Sequence, residues 1–148
     1  MLIRNILEES VRKFDEVKAV KWLKKKEIME RSYGELMENV VSTRKGLLAE
    51  GFEGKHIALI GTSSVEWMES YLGIITGCTT AVPLDAALPC EDLIDLLNRS
   101  DSVALFLSPK LKPYLDAFLE NCPKLQKVWM LQEEVEDAPA KVYGIGEL

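Results

Sequence analysis

The sequence predicts an α/β domain: a mainly parallel sheet with helices on both faces, preceded by an amino-terminal helix and a β-hairpin. Three observations carry this expectation. Short apolar runs at 56–60, 79–83, 102–107 and 127–131 read as strands. Amphipathic stretches long enough for helices separate them. Ile57, Thr80, Val103 and Lys127 follow one another about 23 residues apart, the length of one βα unit. No sequence repeat accompanies that rhythm, so it is architectural and not a tandem array. Strands that alternate with helices pair in parallel and are covered on both faces.

Taken in order, residues 5–14 (NILEESVRKF) predict a short helix with Ile6, Leu7, Val11 and Phe14 on one face and Asn5 as its N-cap. Residues 19–23 and 28–32 predict two strands around a turn at 24–27. Ser32 followed by Glu35 is a capping box: a hydroxyl at the N-cap and a carboxylate three residues on. The helix it opens carries Tyr33, Leu36, Met37, Val40, Leu47 and Leu48 at helical spacing and stops at Gly51. After the strand at 56–60, Ser63 and Glu66 suggest a second capping box. Trp67, Met68, Tyr71, Leu72, Ile74 and Ile75 then give a broad apolar face that ends at Gly77. Pro89 suits a helix first turn, Glu91 and Asp92 complement its dipole, and Leu93, Leu96 and Leu97 face the sheet. Ser108-Pro109 reads as N-cap and first helical residue of a helix patterned by Leu111, Tyr114, Leu115 and Phe118, closed by Cys122-Pro123. The strand at 127–131 reads as the last of the core. Residues 132–140 (QEEVEDAPA) read as an acidic surface loop or linker. The final KVYGIGEL reads as a short strand and the first turn of a helix, an element begun and unfinished.

The 148 residues suit one domain or a domain with an appendage, and a chain this long buries a core without staples. A hydrophobic share of 47% with 28% charged residues is the balance of a globular protein. The net charge of -6 argues against nucleic acid as a partner. The charge is uneven. Residues 1–31 hold nine Lys/Arg and six Asp/Glu, and the remainder holds nine and eighteen. Lys24-Lys25-Lys26 is the one basic run, read as a solvated hairpin tip. Cys78, Cys90 and Cys122 form no C-x-x-C pair and read as reduced thiols, which together with an acidic, non-signal amino-terminus implies a cytoplasmic setting. The longest uncharged run, 70–84, is too short for a membrane span.

The residues offer little self-contained chemistry. His56 is the single histidine, at the opposite end of a strand from Ser63 and Ser64, and seven extended residues span roughly 20 Å. A Ser–His pair across that strand is excluded. One histidine and three scattered cysteines do not form a metal site. The glycines of 46–51 have phosphate-loop spacing, but Phe52-Glu53 stand where Lys and Ser/Thr are needed. Glu91, Asp92 and Asp95 read as a solvated helix face. Gly61, Thr62, Ser63 and Ser64 form a strand-to-helix turn that reads either as a plain helix cap or as an anion-holding turn.

Beyond these local readings, SYGEL at 32–36 and GLLAEGFEGKHIALIGTSSVEWMESYLGIITGCTTAVPLD at 46–85 resemble the amino-terminal subdomain of the AMP-binding, adenylate-forming enzymes. That superfamily includes acyl-CoA synthetases, luciferases and peptide-synthetase adenylation domains. LPCEDLIDLLNRSDSVALFLS at 88–108 and LQKVWML at 125–131 continue the likeness. Within the superfamily, VPLD…LP…DLI…RS is most similar to bacterial long-chain fatty-acid–CoA ligases. The chain departs from the pattern at Lys55-His56, where relatives have aspartate after the glycine, and at Ala86-Ala87, where many carry proline or arginine. A contact to CoA phosphates from that last loop is therefore not expected.

The resemblance implies a parent ligase that uses ATP, Mg²⁺ and CoA to turn a carboxylic acid into an acyl-adenylate and then an acyl-CoA. The family's phosphate loop ending in Pro-Lys-Gly, its Tyr-Gly-x-Thr-Glu segment, its ribose-binding aspartate and its mobile domain with a catalytic lysine do not occur in these 148 residues. The expectation is a scaffold fragment, residues 1–131 (helix and hairpin in 1–32, βα units in 33–131), with 132–148 a linker and the start of the next subdomain. By itself it would hold no cofactor, have no catalytic residue and no activity. Its partners would be the rest of the ligase chain and, through an uncovered apolar face, a second copy. In an open α/β sheet ligands gather at the carboxyl ends of strands. That singles out Gly61, Thr62, Ser63, Ser64, Leu84, Asp85, Ala86, Ala87 and Ser108 as rim candidates of a substrate channel. A free-standing α/β interaction module and a flavodoxin-like binder of a phosphate-bearing ligand are the alternatives.

Overall fold

A computed structural model of the chain describes residues 2–132, 141–145 and 148. It is the expected α/β architecture: a five-stranded parallel sheet with helices on both faces, and a separate antiparallel hairpin. The hairpin pairs β1 (Lys18–Lys24) with β2 (Glu27–Ser32). The sheet is built from β3 (His56–Ile60), β4 (Thr80–Leu84), β5 (Ser102–Leu107), β6 (Lys127–Met130) and β7 (Val142–Gly144), in the order β4-β3-β5-β6-β7. Helices α1 (Ile3–Phe14), α2 (Tyr33–Ala49), α3 (Val65–Ile75), α4 (Cys90–Arg99) and α5 (Leu115–Asn121) complete it, with a 3₁₀ turn at Pro109–Tyr114.

Period-two alternation divides the core into two layers. Ala58, Ile60, Leu105, Leu107, Val128 and Met130 point to the face covered by α4 and α5, where Leu93, Leu97 and Phe118 meet them. Ile57, Leu59, Ala104, Phe106, Trp129 and Leu131 point to the opposite face, under Leu47 of α2 and Ile74 of α3. Phe106 and Trp129 stack there with ring centroids 5.1 Å apart. Pro83 lacks an N–H to donate, and its strand β4 lies at the sheet edge, where that costs no ladder bond on the open side.

The capping box at Ser32 forms as read. Ser32 Oγ accepts from Glu35 N at 3.2 Å, and Ser32 N donates to the Glu35 carboxylate at 2.7 Å. That backbone bond holds the Glu35 carboxyl below its ordinary range. Gly51 ends the helix region with φ +77.

Several local readings need correction. The N-cap of α1 is Leu2, without a side-chain cap bond, and not Asn5; the helix takes in Ile3 and Arg4 before it. The N-cap of α3 is Ser64, whose Oγ accepts from Trp67 N at 3.1 Å, so Ser63 and Glu66 do not form a box. Leu48 points to water at 54% exposure, while Thr43 takes the buried place. Across the helix pair, a Cβ on Gly73 would stand 2.6 Å from Thr43, so α2 and α3 approach closely there and a small residue fits; Leu48 lies on a different face of α2. Likewise the buried line of α3 includes Glu69, Ser70 and Gly73, while Trp67, Tyr71 and Leu72 are only half-buried. In α4, Leu93 and Leu97 are buried and Leu96 is half-exposed. Pro89 flanks that helix as its N-cap residue. The segment after Ser108 starts as a 3₁₀ turn and becomes α-helical after Pro113, which has no N–H for the ladder. The sheet does not end at 127–131, because β7 pairs in parallel with β6. Most of the acidic segment read as a linker, 133–140, lies outside the described residues.

Candidate functional site

The strand order has one reversal. The chain leaves β3 for β4 on one side, then returns past β3 to place β5 on the other. Connections from the carboxyl ends of β3 and β5 therefore depart to opposite faces of the sheet, and a crevice opens between them. An open cleft of about 630 Å³ lies at this point. It is lined by Gly61, Thr62 and Ser63 after β3, by Leu84, Asp85, Ala86 and Ala87 after β4, and by Ser108, Lys110, Leu111, Pro113 and Tyr114 after β5. Trp67 of α3 forms part of its wall and stacks on Tyr71 at 5.3 Å.

Two contacts close the floor of the cleft. Ser108 N donates to Ile60 O at 3.0 Å, and Ser108 Oγ accepts from Thr62 N at 3.2 Å. Ser108 thus ties the loop after β3 to the end of β5. The approach requires glycine at 61, because a Cβ there would fall 2.1 Å from Ser108 Oγ. On the next strand end, Asp85 Oδ1 accepts from Ala87 N at 2.9 Å, which fixes the turn after β4.

Eight of the nine rim candidates, Ser108 among them, line this cleft. Ser64 does not; its hydroxyl is engaged in capping α3. That engagement removes one hydroxyl from the anion-holding reading of the 61–64 turn. Lys110 and Tyr114 were not foreseen. The signal was available in the strand-end rule, but the segment after Ser108 reads as an ordinary helix face until the 3₁₀ turn swings it over the cleft. Lys110 is the cationic side chain among the lining residues, and Asp85 is the anionic one.

A second groove of about 730 Å³ lies between α2 and α3. Glu69 is buried in it, 2.9 Å from Arg31 Nε, and accepts from Asn39 Nδ2 at 3.2 Å. Burial raises its carboxyl to about 6, and the Asn39 bond and the Arg31 charge offset only part of that. The three residues come from α3, β2 and α2, so no local spacing in the sequence announces them. Beside them, Glu66 accepts from Gln132 Nε2 at 2.9 Å.

The remaining sequence candidates stay apart. His56 is exposed at the entry of β3, its Nδ1 2.7 Å from Ser100 O, at the far end of the strand from Ser63 and Ser64. Glu91, Asp92 and Asp95 are exposed on α4, with Asp95 paired to Arg99 at 3.0 Å. Residues 46–49 lie inside α2, so their glycine spacing forms no phosphate loop. The cysteines are unbridged, and burial pushes the Cys122 and Cys90 thiols upward. Among the described residues, no His, Cys, Asp and Glu side chains gather in a group that could hold a metal ion. Also among them, no helix is long and apolar enough to cross a membrane.

The family model described as AMP-binding enzyme matches residues 7–144. A comparison with curated proteins gave no match. Among solved structures, the chain is similar to coronafacic acid ligase from Pectobacterium brasiliense, with TM-score 0.86 and 20% identity, over 99% of this chain and 29% of that one. It is similar to acetoacetyl-CoA synthetase from Streptomyces lividans, with TM-score 0.87 and 13% identity, over 98% of this chain and 24% of that one. It is also similar to the N-terminal domain of FACL13 from Mycobacterium tuberculosis, with TM-score 0.78 and 18% identity, over 88% of this chain and 34% of that one. The chain spans between 24% and 34% of the length of these three structures, and at such identities the likeness is one of fold.

Proposed function

The chain belongs to the AMP-binding enzyme family, and from that premise we propose that it is the amino-terminal α/β portion of an ATP-dependent acid–CoA ligase. The observation that carries the reading is the cleft at the reversal of strand order, where the ends of β3, β4 and β5 converge. In the whole protein this cleft is one wall of the channel for the acid or for CoA. Gly61 lets the β3 loop close onto Ser108, Asp85 holds the β4 turn, and Lys110 supplies a cation for a phosphate or carboxylate. The acid is a long-chain fatty acid, supported by the VPLD…LP…DLI…RS pattern. The setting is cytoplasmic. Residues 1–131 with β7 serve as scaffold, and the segment from 132 leads toward the phosphate-binding parts.

In the whole enzyme the acid's carboxylate displaces pyrophosphate from ATP, and the CoA thiol then displaces AMP. That chemistry needs phosphates and acid held together as charge develops. Mg²⁺ would have to be held elsewhere, because the described residues offer no cluster that fits it. The chain alone is catalytically inert.

The test is isothermal titration of the chain with ATP·Mg²⁺, then with CoA, then with a long-chain fatty acid, beside a turnover assay of the whole protein. The expected result is no saturable ATP binding by the chain. The whole protein should release pyrophosphate only when ATP and the acid are both present, and should form acyl-CoA when CoA is added. Saturable ATP binding by the chain would instead favour a small phosphate-ligand binder. A whole protein that neither releases pyrophosphate nor forms a thioester would overturn the ligase reading.

A further inference from the structure

The β1–β2 hairpin combines two features that a solvated ribbon does not need. The first is exposed apolar surface at its outer end. Leu23 and Ile28 are a directly opposed cross-strand pair, exposed by 74% and 72%. Met29, on the other face, is 36% exposed. The second is the turn itself. Lys25 and Lys26 occupy its two central positions with φ 48 and 68, a conformation that asparagine and glycine adopt far more readily. The turn thus keeps two lysines where chain geometry disfavours them, and Lys24 precedes them.

Alternation along the ribbon places Lys21, Leu23, Ile28 and Glu30 on one face. Lys21 and Glu30 lie 3.9 Å apart and largely neutralise each other. That face therefore presents an apolar pair edged by the cations of the tip, with Glu27 the acidic residue beside them. The rest of the molecule has the opposite character. Residues 1–31 carry nine basic and six acidic side chains, and 32–148 carry nine and eighteen.

We propose that the β1–β2 hairpin tip is a docking surface for an anionic lipid bilayer. With the Leu23–Ile28 face laid on the surface, both side chains reach the acyl boundary while the Lys25 and Lys26 stems extend to headgroup phosphates. The acidic body is repelled by the same surface, so attachment is hairpin-first. Shallow contact of this kind needs no spanning helix. It is independent of the ligase reading, since it rests on the hairpin alone.

The test is co-sedimentation of the chain with phosphatidylcholine vesicles, alone or mixed with phosphatidylglycerol, at low and high salt. Binding is expected only to the mixed vesicles, weakening as salt rises. Replacing both turn lysines, Lys25→Asn with Lys26→Gly, should weaken binding roughly thirtyfold, at about a factor of five per charge. The same change suits the turn, so its melting temperature should hold or rise, which separates the charge effect from a folding effect. Leu23→Ser with Ile28→Ser should abolish the salt-resistant remainder. Absence of binding to the mixed vesicles, or binding that survives both double variants, would overturn the proposal. So would a dimer in sedimentation that Leu23→Ser with Ile28→Ser dissolves while vesicles bind nothing, because the patch would then belong to a second copy.

Discussion

Replacing Gly61 by alanine tests whether the junction between β3 and β5 is as tight as its geometry implies. The new Cβ would lie 2.1 Å from Ser108 Oγ, 3.1 Å from Ser108 Cβ and 3.2 Å from Trp67 Cδ1. The first distance is far inside van der Waals contact, so Ser108 must move. It is 1% exposed, at the floor of the cleft. Moving it breaks the bond from Thr62 N, at a cost of about 1 kcal/mol. Displacing Ser108 and Trp67 from a packed site adds about 1–2 kcal/mol. The expected destabilisation is about 2–3 kcal/mol, which lowers the melting temperature of a chain this size by about 6–10 °C. Urea and thermal unfolding followed by circular dichroism would read it. Ser108→Ala in the Gly61→Ala background removes the closest atom, so the double variant should fall short of the summed single effects by about 1–2 kcal/mol. A Gly61→Ala protein within about 0.5 kcal/mol of the parent, or strict additivity with Ser108→Ala, would refute the reasoning.

Glu69 predicts a pH dependence. Its folded carboxyl is raised to about 6 by burial, above the ordinary 4.5, so the folded state holds the proton more tightly than the unfolded chain. The associated stability is fully present below pH 4.5 and is lost as pH rises through 6, by about 1–2 kcal/mol between pH 4.5 and 7. Denaturation at stepped pH should show this slope in the parent and lose it in Glu69→Gln; an identical slope in both proteins would assign it to other groups. Ser32→Ala removes the N-cap acceptor of α2 and should cost about 1 kcal/mol, measured by urea unfolding. Phe106→Ala opens a cavity against Trp129 in the layer under α2 and α3 and should cost about 3–5 kcal/mol, enough to shift the urea midpoint clearly.

Much of the fold is legible in the chain because its signals are local. The helix at 33–49 is announced by Ser32, Glu35 and Gly51, three residues whose capping roles depend only on their neighbours. Strand β5 is read to its ends because an apolar run between Ser100-Asp101 and Ser108-Pro109 leaves little choice. Errors arise where a distant element decides. Thr43 is buried because Gly73 of another helix sits opposite, and Leu48 lies on a different face of α2 from that contact. The short strand read after residue 140 is present at Val142–Gly144, but that it extends the sheet past 127–131 depends on the edge that β6 leaves open to receive it.

The candidate site divides along the same line. That the rim candidates would stand after β3, β4 and β5 follows from strand periodicity and a general property of parallel sheets, both readable in the sequence. That those three loops meet depends on strand order. The helix connecting β4 to β5 carries the chain back past β3, and only the completed sheet records that reversal. The closeness of Gly61 to Ser108, the swing of Lys110 over the cleft and the union of Arg31, Asn39 and Glu69 all join residues far apart in the chain. Turn chemistry, capping and apolar period act over a few residues, so the sequence by itself determines them. Contacts across the sheet and between helices depend on which elements end up side by side, and packing alone decides that.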